Sequence, residues 1–193
     1  MNIIDRIKNI LITPKTEWQV IKGESATPQS LTTSYVIPLA VISCVGAIVQ
    51  GLLFAGALGL KFFMIAAVIG LIAEVIGFYL ASYIIDALAT SFSSEKNINR
   101  SAQLVAYSRT PAAIGGLLSF IPVVGRILPL VGALYGIYIM YLGMEPMKNT
   151  PEDKKVVYMI VSFLVMFVLY AIVIAVLGIV LYGALGMSRP GFF

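Results

Sequence analysis

The chain opens on a short mixed segment and then runs through five long apolar stretches separated by polar residues. Within residues 1–33, Ile3, Ile4, Ile7, Ile10 and Leu11 recur at helical spacing, while Asp5, Arg6, Lys8 and Asn9 fill the other side. Thr13 followed by Pro14 reads as an N-cap and a first-turn proline, opening a second short helix that carries Trp18 and Ile21. The pattern predicts two amphipathic helices. Either they lie on a membrane surface with Trp18 at headgroup depth, or they cover one end of a helical bundle. The sequence weighs the two equally.

The apolar stretches are Ser34–Ala55, Phe62–Ala89, Gln103–Ile121, Val123–Leu142 and Val156–Tyr182. A membrane-crossing helix needs roughly 20 predominantly apolar residues. The expected fold is therefore all-α: a polytopic integral membrane protein with five transmembrane helices over residues 34–182. A cytoplasmic amphipathic segment, 1–33, precedes them and a short outside tail, 183–193, follows. Arg109 and Pro111 interrupt the third stretch, and Arg126 and Pro129 shorten the fourth. Only a tight Pro122–Gly125 turn separates these two, so a short or re-entrant hairpin is the alternative to two full crossings.

Composition supports the membrane reading. Hydrophobic residues make up 60% of the 193 and charged ones only 11%, against roughly 25% charged in a soluble domain. Such a surface faces lipid. The net charge of +4 does not point to nucleic acid, because the basic residues sit in short segments between apolar runs, as membrane topology requires. Cys44 has no second cysteine to pair with, and the chain has no histidine, the commonest general base and transition-metal ligand. The opening residues lack the continuous apolar core of a cleavable signal. No metal site or cofactor is expected.

Lysine and arginine counts set the orientation. With the N-terminus inside, the inner segments carry Arg6, Lys8, Lys15, Lys22, Lys96, Arg100, Lys148, Lys154 and Lys155, and the outer ones carry Lys61, Arg126 and Arg189. The excess predicts the N-terminus inside and the C-terminal tail outside.

Three ionisable residues fall within the apolar stretches: Glu74, Asp86 and Arg109. A charge in the bilayer is costly, so each needs a partner, a wet cavity or neutralisation. Glu74 and Asp86 lie twelve residues apart, about 18 Å along one helix, and Arg109 lies between them in depth. Its expected partner is Asp86 first and Glu74 second. Tyr107, Ser108 and Thr110 supply further hydrogen-bonding groups, and Pro111 frees the carbonyl of Tyr107. A structural ion pair is the preferred reading, and a charged site on an ion or solute path is the alternative. Gly132 and Gly136 form a small-xxx-small pair for close helix packing within the bundle, a homo-oligomer seam being the sharper alternative. No nucleophile elbow, zinc-protease helix, cysteine pair or phosphate-binding glycine loop is present, so no enzyme activity is expected.

Three segments, taken together, carry a family resemblance. They are Pro14-Lys-Thr-Glu-Trp18, Ala106-Tyr-Ser-Arg-Thr-Pro111 and Leu134-Tyr-Gly-Ile-Tyr-Ile-Met-Tyr-Leu-Gly143, the last followed by a Lys/Pro/Glu-rich loop and a long apolar run. In this order and spacing the chain resembles the prokaryotic branch of the Yip family, named for interaction with Ypt/Rab GTPases. The resemblance implies five spans, an inside N-terminus and an outside C-terminus in a prokaryotic cytoplasmic membrane. The expected role is a non-enzymatic adaptor or membrane organiser, meeting protein partners through the N-terminal helices and the Glu145–Lys155 loop. The alternative is an ion or small-solute channel or transporter using Glu74, Asp86 and Arg109.

Overall fold

The computed structural model describes residues 2–54 and 56–184, and these are helical wherever they are regular. Two short helices come first, α1 (Ile3–Ile12) and α2 (Pro14–Lys22). Thr13 does not cap α2 with its side chain. Its hydroxyl instead donates to Asn9 O at 3.2 Å, closing the end of α1.

The first long helix starts as α3 (Pro28–Leu31), passes through a widened turn over Thr32–Val36, and continues as α4 (Ile37–Phe54). Thr27 and Ser30 form a reciprocal capping box at its start. The widened turn has a local cause. Pro38 has no N–H to offer Ser34 O, and the Thr33 and Ser34 hydroxyls compete for the carbonyl of Ser30. The Ile37 N–H therefore reaches back five residues to Thr32 O.

Helix α5 (Gly56–Leu88) runs on through a 3₁₀ turn, Ala89–Phe92. After it come α6 (Ile98–Ser108), α7 (Thr110–Leu117), α8 (Val124–Lys148) and α9 (Glu152–Ala184).

The expectation of five transmembrane helices is corrected. Among the described residues three helices are long and apolar enough to cross a membrane: Pro28–Phe54, Ala66–Phe92 and Ile127–Lys148. The expected third span, Gln103–Ile121, breaks at Arg109 into α6 and α7, of 11 and 8 residues. At about 1.5 Å per residue neither reaches across a hydrocarbon core of about 30 Å. Its first part is packed inside the bundle: every residue from Ser101 to Ser108 is buried. Lipid and a protein core ask for the same side chains, so hydropathy alone does not separate them. The first span also begins at Pro28, ahead of the expected Ser34. The expected fifth span lies in α9, where side chains at 170, 173, 174 and from 177 onward fall outside the described residues. So does the tail beyond Ala184.

The bundle is apolar outside as well as inside. Val41, Val45, Leu52, Val68, Leu130, Leu134 and Phe167 are all exposed, which suits a lipid-facing belt. Glycine sets the closeness of the inner helices. A Cβ on Gly136 would lie 2.5 Å from Ser108 O, and one on Gly132 would lie 2.6 Å from the carbonyl carbon of Pro111. This pair of glycines thus seats α6 and α7 against α8, inside one chain.

Candidate functional site

At one end of the bundle α1 and α2 form a cap held by polar contacts. Trp18 on α2 is fully buried. Its indole Nε1 donates to Ile139 O on α8 at 2.9 Å, and its ring lies edge-on to Tyr107 of α6 with centroids 6.2 Å apart. The ring needs the gap left by Gly143, where a Cβ would lie 2.6 Å from Trp18 Cε2 and from a methyl of Leu104. Gly143→Val should therefore push the indole from its seat, at a cost of roughly 1–3 kcal/mol for overpacking. Trp18 is the chain's one tryptophan, so the check is a red shift of intrinsic fluorescence. Unchanged emission would count against this seat.

Of the two placements the sequence left open, the structure takes the cap over the bundle end, with Trp18 buried against protein. Arg6 is corrected with it. Its place on the polar side of α1 suggested solvent, yet it is 4% exposed while Ile4 is 68% exposed. The helix has turned its apolar stripe partly outward and its guanidinium inward. Arg6 bonds Glu17 of α2 and, through Nη2, both carboxylate oxygens of Glu24, and it lies 5.1 Å over the Tyr107 ring. Tyr107 packs on Tyr35 at 4.8 Å. The Tyr35 hydroxyl meets Thr110 Oγ1 at 2.6 Å, and Thr110 donates to Tyr107 O at 2.7 Å. That carbonyl is the one Pro111 was expected to free. Tyr135 secures the end of α1, its hydroxyl donating to Leu11 O at 2.8 Å. Arg100 secures the end of α2, donating to the carbonyls of Ile21, Lys22 and Glu24, where a cation suits the negative helix terminus.

A second buried group lies between α5, α6 and α8. Lys148 has no exposed side-chain surface; its Nζ sits 3.1 Å from Asp86 Oδ1 and 2.7 Å from Ser101 Oγ. Ser101 also donates to Asp86 Oδ1 at 3.1 Å. The apolar stretch Val123–Leu142 predicts a helix that ends before Lys148 and leaves it in the Glu145–Lys155 loop. Extending the helix by six residues through Pro146 carries the lysine inside. At the surface beside it, Lys155 binds Glu145 and Glu152. The bond to Lys155 and one from the Tyr141 hydroxyl hold the Glu152 carboxyl below the usual carboxylate range.

Arg109 does not pair with Asp86. Its Nη2 lies 2.6 Å from Glu74 Oε2, the two side chains being 35% and 29% exposed in the isolated chain. The helix break at Arg109 explains the choice, since the residue is the junction of α6 and α7 and leaves the line that leads to Asp86. Arg109→Met should lower the unfolding temperature, and Glu74→Leu should recover part of the loss while Asp86→Leu does not. Rescue by Asp86→Leu would contradict this pairing. The Ser108 hydroxyl, beside it, is buried with no hydrogen-bond partner among the described residues. Among the described residues no group of three or more His, Cys, Asp or Glu side chains is placed to hold a metal.

Apolar helices wrapped around buried ion pairs, with an interlocked polar cap at one end, define a multi-pass α-helical membrane protein. The family model of the Yip1 domain matches residues 8–174. The chain belongs to the Yip family, as a non-enzymatic membrane protein with helical membrane-spanning segments. Neither a curated protein nor a solved structure matches it.

Proposed function

We propose that the chain is a membrane adaptor of the prokaryotic branch of its family, with the capped end facing the cytoplasm as its partner-binding face. The observation that carries this is the convergence of the three motif segments. Trp18 comes from the first, Tyr107 and Thr110 from the second, and Ile139 and Gly143 from the third, all in one packed cluster. Such a cluster fixes the outer surfaces of α1 and α2 rigidly on the bundle. The Glu145–Lys155 segment, expected as a loop, is helical except at residues 149–151 and adjoins the same end. Glu95 N–H donates to Lys148 O at 2.7 Å, Ser94 to Thr150 at 2.9 Å and Lys154 to Ser93 at 2.7 Å. The combined face bears Lys8, Lys15, Lys22 and Lys96 exposed beside Ile4, Ile12 and Val20, and the lysines support an inside location by the positive-inside rule. The bilayer and one or more proteins at this face are its partners, and self-association through the apolar belt is compatible with it.

The channel reading finds less support. Glu74, Asp86 and Arg109 do not line one path: Glu74 and Arg109 pair with each other, and Asp86 is bound to Lys148. Photo-crosslinkable residues placed singly at Lys15, Gln19 and Asp153 should yield protein adducts in intact cells. The same residue at Leu134 or Phe167 in the apolar belt should yield lipid adducts. Lipid adducts alone at all five positions, or ion flux in liposomes that Glu74→Gln abolishes, would contradict the adaptor role.

A further inference from the structure

Between the cap and the first span lies a cavity of about 400 Å³, lined by Ile3, Arg6, Glu24, Ser34, Tyr35 and Tyr107, with Ser25 at its edge. Its size is in the range of small-ligand sites. Three features define what it would take. The first is depth. Ser34 lies six residues beyond Pro28, about 9 Å along the first membrane-spanning helix, so the cavity borders that helix near its start. The second is the surface below it. Ser34, Pro38, Val41 and Val45 follow one another at helical spacing; Val41 and Val45 are exposed and Pro38 is half-buried. This stripe can carry an acyl chain downward from the opening.

The third feature is the charge and hydrogen-bonding character of the walls. Among the lining residues one guanidinium, Arg6, is paired with one carboxylate, Glu24, so the walls present both signs with no net charge, which suits a zwitterionic head. Arg100 is engaged by backbone carbonyls and does not line the cavity. The Glu24 side chain keeps 37% of its surface exposed. Tyr107 is 6% exposed, and its hydroxyl has no hydrogen-bond partner among the described residues. A phenol and a carboxylate together suit a group with several N–H donors. The ring faces offer no open aromatic cage for a quaternary ammonium, because Arg6 covers Tyr107 and the Tyr35 ring packs against it.

We propose that this cavity binds the primary ammonium of an aminophospholipid, a phosphoethanolamine head, with one acyl chain along Ser34, Pro38, Val41 and Val45. Glu24 and the Tyr107 hydroxyl accept from the ammonium. The phosphate stays at the mouth, beside the exposed Ser25 and Ser34. The site stands on the docked cap and does not depend on any protein partner, so a chain without an adaptor role can still show it.

The test uses the full chain purified in detergent. Phosphatidylethanolamine, phosphatidylcholine and phosphatidylglycerol of identical acyl chains are added separately, and the unfolding temperature is followed. Phosphatidylethanolamine should raise it at concentrations where the other two do not. Tyr107→Phe should weaken this response about tenfold, the scale of one hydrogen bond to a charged group, and Ser34→Leu should weaken it by blocking the mouth. Trp18 emission, unchanged in both variants, shows that the cap is still docked. An equal response to phosphatidylcholine would overturn the primary-amine assignment, and a preference for phosphatidylglycerol would overturn the choice of a zwitterionic head. No response to phosphatidylethanolamine, or one that survives both variants, would overturn the site.

Discussion

Arg6→Met should release the N-terminal cap. The substitution keeps the length and most of the packing of the side chain but leaves Glu17, 3% exposed, without its counter-charge. An uncompensated buried charge costs roughly 3–5 kcal/mol, a large share of what two short helices gain by docking. The cap has no long hydrophobic helix of its own to fall back on, since α1 and α2 span only 10 and 9 residues and helices that short are marginal in isolation. The expected result is a red-shifted Trp18 and new protease sensitivity between Leu11 and Ser25. Adding Glu17→Gln should restore part of the docking, because it removes the stranded charge. If Arg6→Met leaves emission and protease resistance unchanged, the ion cluster does not hold the cap.

Lys148→Met should be comparably severe, for the same reason at a different place. It removes the cation that Asp86 and Ser101 share across α5, α6 and α8. The loss should again be roughly 3–5 kcal/mol, since the lysine is fully buried and little solvent can screen Asp86. Lys148→Met combined with Asp86→Leu should be much milder than Lys148→Met alone, because a buried pair replaced by apolar groups is often nearly neutral. The measurement is thermal unfolding of the four members of this cycle. Strictly additive losses would mean that the pair is not coupled.

The long helices were legible because their signal, continuous apolar sequence, is the same signal the membrane selects. Its limit was α6. Gln103–Ile121 is apolar enough to suggest a span, but Arg109 and Pro111 mark a real break, and its first part, up to Ser108, is interior to the bundle. The ionisable residues were found, and their pairing was not. Helical rise gives depth but no azimuth, so Asp86 and Glu74 remained alternatives for Arg109 until the break turned it toward Glu74. Lys148 and Arg6 were missed because a lysine near a helix end and an arginine on a polar stripe ordinarily face water. The signal that could have found Arg6 is the pair Glu17 and Glu24, two carboxylates in a short segment whose other charges are lysines. The motif segments announced themselves only as order and spacing; that they meet in space needed the fold.

The docked cap is the claim on which the proposed role and the lipid site both stand, and Trp18 reports on it directly. The full chain in bilayers is titrated with brominated phospholipids and, separately, with iodide. A tryptophan seated on Gly143 beneath the cap should emit in the blue and be quenched weakly by both. Strong quenching by the brominated lipids would place Trp18 among headgroups or acyl chains, and strong quenching by iodide would place it in water. Either result would contradict the docked cap.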